Sequence, residues 1–252
     1  MIKKDADKIA DNTVEVGFGG VAHELWTEHG LKVRYEGRLM LLAEKTNSGY
    51  LAKAGNASGC DVKADWQETE KSRELAMSIN SGSAGFLTVS YFNAAAAARY
   101  IFNALQGEKA KAITLPYVIQ KADDALIIPE ILRILLDECS DTWENAIATI
   151  SDNFVLKPQG DFAGIALGSL ASLSPRAEKL IRAINEKHCQ LLWDLNPGDW
   201  LRISEGSIIT DNEANSLLLA ASLCGKIICS EEMRAGALRC IYTLAPAKFV
   251  DI

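Results

Sequence analysis

The sequence predicts an α/β fold: a single domain on a largely parallel sheet, with a helix-rich C-terminal half. Three observations carry this. Runs rich in β-branched and aromatic residues recur through residues 1–120, whereas residues 121–252 are dominated by capped, amphipathic helices. "VGFGGVAHELWTEHGLKVR" (16–34) reads as strand, glycine loop, helix, glycine, strand, the repeating unit of a parallel sheet. The chain has 252 residues, 48% apolar and 23% charged, enough for one large α/β core. The change in composition near residue 120 is a soft internal boundary.

The elements follow in order. "NTVEVGF" (12–18) alternates and is β-branched, so it reads as a strand. "LKVRYEG" (31–37) and "RLMLLAE" (38–44) read as two paired strands. "SGYLAKAGNASG" (48–59) has loop chemistry. "GFLTVSYF" (85–92) and "AKAITLPYVI" (110–119) read as further strands. In "NAAAAARYIFNALQG" (93–107) Asn93 caps a helix of strong helix formers and Gly107 stops it.

In "IPEILRILLDE" Pro129 suits a first helical turn. Steps of 100° put Ile128, Ile131, Leu132, Ile134, Leu135 and Leu136 on one broad arc. Glu130, Arg133 and Asp137 fall on the other side. "SPRAEKLIRAINEKHCQLLW" (174–193) is a helix capped by Ser174, with Pro175 behind it and a stripe of Ala177, Leu180, Ile181, Ile184, Leu191 and Leu192. Pro197, Gly198 and Asp199 make a turn. Two further helices are expected to begin at Asp211 or Asn212 and at Ser230, the second with acids in its first turn.

A net charge of −7 and scattered basic residues argue against nucleic acid and anionic membrane as partners. "MIKKDADKIADN" is too polar for a signal peptide, and no apolar run approaches the ~18–20 residues of a spanning helix. Cys60, Cys139, Cys189, Cys224, Cys229 and Cys240 form no Cys-x-x-Cys and sit mostly in apolar runs. Structural zinc is therefore not expected, and a reducing, cytoplasmic location is.

Candidate ligand residues are few. Gly17, Gly19 and Gly20 would let backbone approach an anion at the following helix N-terminus, with His23 on that helix. This reads as a phosphate or sugar-phosphate site, or else as a tight turn needing positive φ. It lacks the full dinucleotide fingerprint and the acidic residue after the second strand. "SDNFVLKPQGDF" (151–162) offers Gln159 and Asp161, a solvated turn unless it neighbours the glycine loop. His188, on an apolar stripe, reads as a satisfied core residue. It cannot face its neighbour Cys189, because adjacent helical residues point ~100° apart.

"ALIIPEILRILLDECSDTWENA" (125–146) resembles a stretch of the glycogen (α-glucan) phosphorylase family. The resemblance is carried by Leu126, Ile128, Pro129, Glu130, Arg133, Leu135, Asp137, Trp143 and Ala146. "SPRAEKLIRAIN" (174–185), "PGDWLRISEGSII" (197–209) and "LAPAKFVDI" (244–252) are similar to later family motifs in the same order. The first half is vaguer, "GFGG…GLKVR" resembling the opening of two-Rossmann-domain sugar transferases. The resemblance implies a Rossmann-like domain. It also implies that the family's sugar-contacting His is replaced near Gln159, and that the pyridoxal-phosphate lysine belongs to a second domain beyond this match. The expectation is therefore a non-catalytic relative, with no cofactor and no metal, that binds a sugar, a glucan or a protein partner. The alternatives are a small-molecule enzyme using the glycine loop and a structural or assembly subunit.

Overall fold

A computed structural model describes residues 13–28, 30–47, 49–54, 66–107 and 115–250. β1 (Thr13–Thr27) and β2 (Gly30–Thr46) form one long antiparallel hairpin, registered from Thr13 opposite Glu44 to Thr27 opposite Gly30. β3 (Gly49–Ala54) pairs with the far side of β2. The helix expected after the glycines is therefore absent: β2 lies alongside and satisfies that backbone as a ladder. The separate strands expected at 31–37 and 38–44 are one continuous strand, and residues 49–54 of the expected loop are β3. Positions 55–59 of that loop lie outside the described residues, as does His29. Val14, Val16 and Phe18 point inward, as alternation requires. Where Gly20 would face Gly37 the ladder lapses, both with positive φ (78° and 68°), and pairing then resumes in the same register.

α1 (Trp66–Ser81) closes the open edge of this sheet. The Asn80 side chain accepts from the Ala52 N–H at 2.9 Å and donates to its carbonyl at 2.7 Å, imitating a neighbouring strand. α2 (Phe86–Leu105) begins well before Asn93. The strand expected at 85–92 is its first two turns. Tyr91, Phe92, Ala94 to Ala98, Tyr100 and Ile101 are all buried, so the helix is apolar nearly all round and shows no helical period. Gly107, at φ 75°, ends it as expected.

β4 (Tyr117–Ile119) is the described end of the expected 110–119 strand. A 3-10 turn (Asp123–Leu126) leads into α3 (Ile127–Arg133), with Pro129 in its first turn. A π-helical turn (Ile134–Glu138) follows, in which the Cys139 N–H reaches the Ile134 carbonyl at 3.2 Å. α4 (Trp143–Asn153) is capped by the Thr142 hydroxyl and runs into β5 (Phe154–Leu156). β6 (Gly164–Ala166), α5 (Leu167–Leu173) and α6 (Pro175–Leu195) come next. As expected, Ser174 caps α6, its hydroxyl accepting from the Ala177 N–H at 3.3 Å.

α7 (Trp200–Gly206) starts at the Asp199 cap, and β7 (Ile209–Thr210) and β8 (Glu213–Asn215) form a short hairpin. Asp211 and Asn212 are its two-residue turn, both left-handed (φ 49° and 62°). The helix expected to start there is displaced to α8 (Ser216–Leu223), capped by Asn215. β9 (Lys226–Ile228), α9 (Glu231–Ala235) with Ser230 as its cap, α10 (Arg239–Leu244) and β10 (Phe249–Val250) complete the described chain.

The α/β class is the one observed. A parallel sheet in the order β10-β9-β5-β4 is flanked by helices, and β6, β8 and β7 form a small antiparallel sheet. α3 lies at the centre of the buried apolar cluster, packed by α2, α6, α4 and α8. No helix of the described residues is long and apolar enough to cross a membrane.

Candidate functional site

Every residue of α3 is buried, including those placed on its outer side by the sequence. Glu130 is 1% exposed and Arg133 4%. Charges so placed require partners, and they have them. Glu130 accepts from Arg133 Nε at 2.8 Å, from the Tyr91 hydroxyl at 2.7 Å and from the Ser174 hydroxyl at 3.4 Å. Arg133 Nη1 donates to Glu138 at 2.9 Å, and Glu138 also takes a two-pronged contact from Arg99 at 2.7 and 2.6 Å. Asp137 is gripped by Arg176 through Nε at 3.0 Å and Nη2 at 2.6 Å, and accepts from the Tyr35 hydroxyl. Arg176 Nη1 continues to Glu24 at 2.5 Å. Arg38 lies 4.5 Å over the Tyr35 ring and donates to the Gly17 carbonyl at 3.3 Å.

This chain of charges ties the β1–β2 hairpin to α2, α3 and α6. Burial alone would raise the Glu130 pKa, but the Arg133 and Arg38 charges outweigh it and hold the carboxyl below the usual range. Burial likewise opposes ionisation of Glu138, yet the Arg99 hydrogen bonds and the Arg133 charge bring it down from 4.5 to about 2. Burial pushes the Tyr35 and Tyr91 phenols well above their ordinary 10. Near neutral pH Glu130 and Glu138 are ionised and the Tyr35 and Tyr91 phenols are protonated. None of these groups is poised to exchange a proton, which general acid–base work requires.

The Glu138 shift has a sign that can be checked. Its folded pKa is depressed, so its contribution is present above the unfolded value near 4.5 and disappears as pH falls towards 2. Wild-type protein should lose thermal stability steadily across that window. Glu138→Gln should be less stable at pH 7 and show a shallower loss below pH 4.5. Calorimetry of both proteins from pH 7 to pH 2 checks this, and parallel curves would refute it.

Of the residues singled out from sequence, Gly17 borders the cluster, its carbonyl accepting from Arg38 at 3.3 Å and from the Tyr91 hydroxyl at 3.4 Å, and the others lie elsewhere. Gly17, Gly19 and Gly20 are in β1, and His23 pairs across the hairpin with Glu36 at 3.2 Å, both exposed. A Cβ on Gly17 would fall 2.1 Å from Arg38 Nε, so its bareness makes room for that side chain. Gln159 and Asp161 are exposed in the loop beyond β5, where the Gln159 N–H donates to the Gln120 carbonyl at 2.8 Å. The first set thus belongs to the antiparallel sheet and the second to the carboxyl end of the parallel one. His188 is the satisfied core residue expected: its Nε2 lies 2.9 Å from the Gly206 carbonyl, and burial lowers its pKa. Sequence reasoning missed Glu24, Tyr35, Arg38, Tyr91, Arg99 and Arg176. The available signal was the charged set at 130, 133, 137 and 138 in a helical stretch otherwise wholly apolar.

The Carbohydrate phosphorylase family model matches residues 78–249, more than half of the chain. This protein belongs to the carbohydrate phosphorylase family. Glycogen phosphorylase from Bacillus subtilis (strain 168) is 35% identical over 94 residues, a stretch covering 36% of this chain and 12% of that protein. The chain therefore matches only a small part of that relative's length.

Pyridoxal phosphate, the cofactor implied by the resemblance, calls for a lysine with a free, deprotonatable amine. Among the described residues, burial lowers the pKa of Lys45, which lies over the Tyr100 ring, and of Lys248. The Lys248 Nζ, however, donates to the Ser222 carbonyl at 2.7 Å and the Ala221 carbonyl at 3.4 Å, closing the C-terminal end of α8. Lys248 does not fit the cofactor, and no pyridoxal chemistry is assigned to either lysine.

Proposed function

We propose that this chain is a non-catalytic member of the carbohydrate phosphorylase family that binds an α-glucan or a related sugar. The observation that carries the first part is the saturated cluster at the family motif. Glu130, Arg133 and Asp137 are engaged with each other or with Tyr35, Tyr91 and Arg176 and act as scaffold. Family membership over residues 78–249 supports carbohydrate as the ligand class. The net charge of −7 supports a neutral ligand over nucleic acid or an anionic membrane. Apolar packing that runs from Val14 to Ile241 supports one domain, and free cysteines at 139, 189, 224, 229 and 240 support a reducing, cytoplasmic setting.

Two measurements test the reading. Incubation with maltoheptaose and inorganic phosphate should yield no glucose 1-phosphate; turnover that co-purifies with the protein would end the non-catalytic part. Saturating maltoheptaose should raise the melting temperature, because a ligand that binds only the folded state stabilises it by mass action. An unchanged melting temperature with maltoheptaose, glycogen, glucose 1-phosphate and a nucleotide sugar would end the binding part.

A further inference from the structure

We propose that the outer half of β1, residues 21–25, is a self-pairing edge through which two copies of this chain join their antiparallel sheets into one. The sheet has the order β1-β2-β3, so it has two rims. The Asn80 side chain closes the β3 rim. The β1 rim is different. Among the described residues, the backbone of residues 21–25 bonds to β2 and to no other element. Such an edge is a template for a further strand, and Lys, Pro or a covering element ordinarily guards it. Residues 21–25 read Val-Ala-His-Glu-Leu, with no Lys or Pro among them. The hairpin has also left the core here. Val14, Val16 and Phe18 are buried, whereas Val21 is 59% exposed and Leu25 55%. A two-stranded ribbon is marginal by itself, so this half gains most from another strand. Glu24 ties its inner face to Arg176 of α6, which holds the edge in a fixed position.

The pattern along the edge fits a second copy. Alternation puts Val21, His23 and Leu25 on the outer face, opposite Glu36, Arg34 and Lys32 of β2, which are exposed as well. A two-fold axis perpendicular to the sheet keeps both outer faces on one side, so odd-numbered residues meet odd-numbered ones. With the axis on His23, Val21 of each copy stands opposite Leu25 of the other. Four exposed apolar side chains then close into one cluster, rimmed on both sides by the charges of β2. An axis on Glu24 would set two carboxylates face to face, and one on Ala22 would set Leu25 against the bare Gly19. Gly20, at φ 78°, ends the regular edge on one side and the turn between Thr27 and Gly30 ends it on the other, with His23 near the middle.

Charge permits this partner. Glu24 is the one Asp, Glu, Lys or Arg in residues 21–25, and its own Arg176 balances it at 2.5 Å. His23 lies 3.2 Å from its own Glu36. Two copies therefore meet at this edge without an unbalanced like-charge pair, and a charged peptide strand would find no counter-charge left over there. Size sets the strength. An edge this short buries less than the ~800 Å² per partner of a stable dimer, so the pairing is reversible, with a Kd of micromolar order. The inference is independent of the carbohydrate reading above.

Sedimentation velocity of the full chain from about 1 to about 300 µM should show a monomer converting to a dimer. Leu25→Lys places an ammonium opposite Val21 of the other copy, and His23→Glu sets two carboxylates across the axis. Each should weaken association about tenfold or more. Both positions are exposed, so melts at about 1 µM should match wild type and show that the variants fold. Leu201→Lys, at an exposed apolar position on α7, should leave the dimer intact. His23→Cys should yield a disulfide-linked dimer under mild oxidation with diamide, because directly opposed Cβ atoms lie ~4.5–5.5 Å apart. Wild type, whose Cys139 is exposed, should not. A wild type that stays monomeric at about 300 µM overturns the proposal. So does a dimer that survives both charged variants, or one that His23→Cys fails to trap. A dimer lost in Leu201→Lys and kept in Leu25→Lys overturns it in favour of an interface on α7.

Discussion

Arg176→Met is expected to cost about 3–5 kcal/mol, the usual penalty for stranding one member of a buried ion pair. The Asp137 side chain is fully buried and Arg176 is 8% exposed. Without the guanidinium, Asp137 would keep only the Tyr35 hydroxyl, and Glu24 would lose its anchor on α6. A loss of that size is a large share of the ~5–15 kcal/mol that holds a domain folded. Arg176→Lys should recover little, because an ammonium cannot grip Asp137 with two nitrogens while a third reaches Glu24. Arg176→Met combined with Asp137→Asn should be more stable than Arg176→Met alone, since the stranded charge is gone while Tyr35 keeps an acceptor. Urea unfolding of wild type, Arg176→Met, Asp137→Asn and the double variant measures the coupling, and Arg176→Met within about 1 kcal/mol of wild type would refute the assignment.

That cluster also marks where the sequence stopped being readable. Helix α6 was legible because its signals are local: Ser174, Pro175 and a periodic stripe specify start and face without reference to any other part of the chain. The stop at Gly107 and the cap at Ser230 were legible for the same reason. Glu130, Arg133 and Asp137 fall on the side of the helix away from its apolar arc, where charge normally marks a solvated face. What covers them comes from positions up to 102 residues away in sequence, as with Tyr35 on Asp137. The hairpin failed differently. Gly17, Gly19 and Gly20 between a strand and "AHELWTEH" imitate strand, loop and helix, and helix propensity is a weak prior that a long ladder overrides. The candidate site inferred from that loop inherited the error in its local structure.

Ala94→Pro and Phe86→Pro should separate sharply, and the contrast tests where α2 begins. Were Asn93 the cap, Ala94 would be the first helical residue, where proline is well tolerated. The structure puts Ala94 more than two turns inside a helix that starts at Phe86 after Gly85. There a proline removes the N–H that bonds the Ser90 carbonyl and drives its ring into that turn, at a cost of about 3 kcal/mol or more. Ala94 is also 4% exposed, so the added ring has no free volume to enter and the cost rises further. Phe86 occupies the position where the N–H has no intrahelical acceptor, and it is 75% exposed. Gly85, at φ −59° and ψ 149°, already has the extended backbone that a following proline demands. Phe86→Pro should therefore stay within about 0.5 kcal/mol of wild type. Circular dichroism melts of the two variants give the answer directly: a stable Ala94→Pro would return residues 85–92 to the strand their composition suggests.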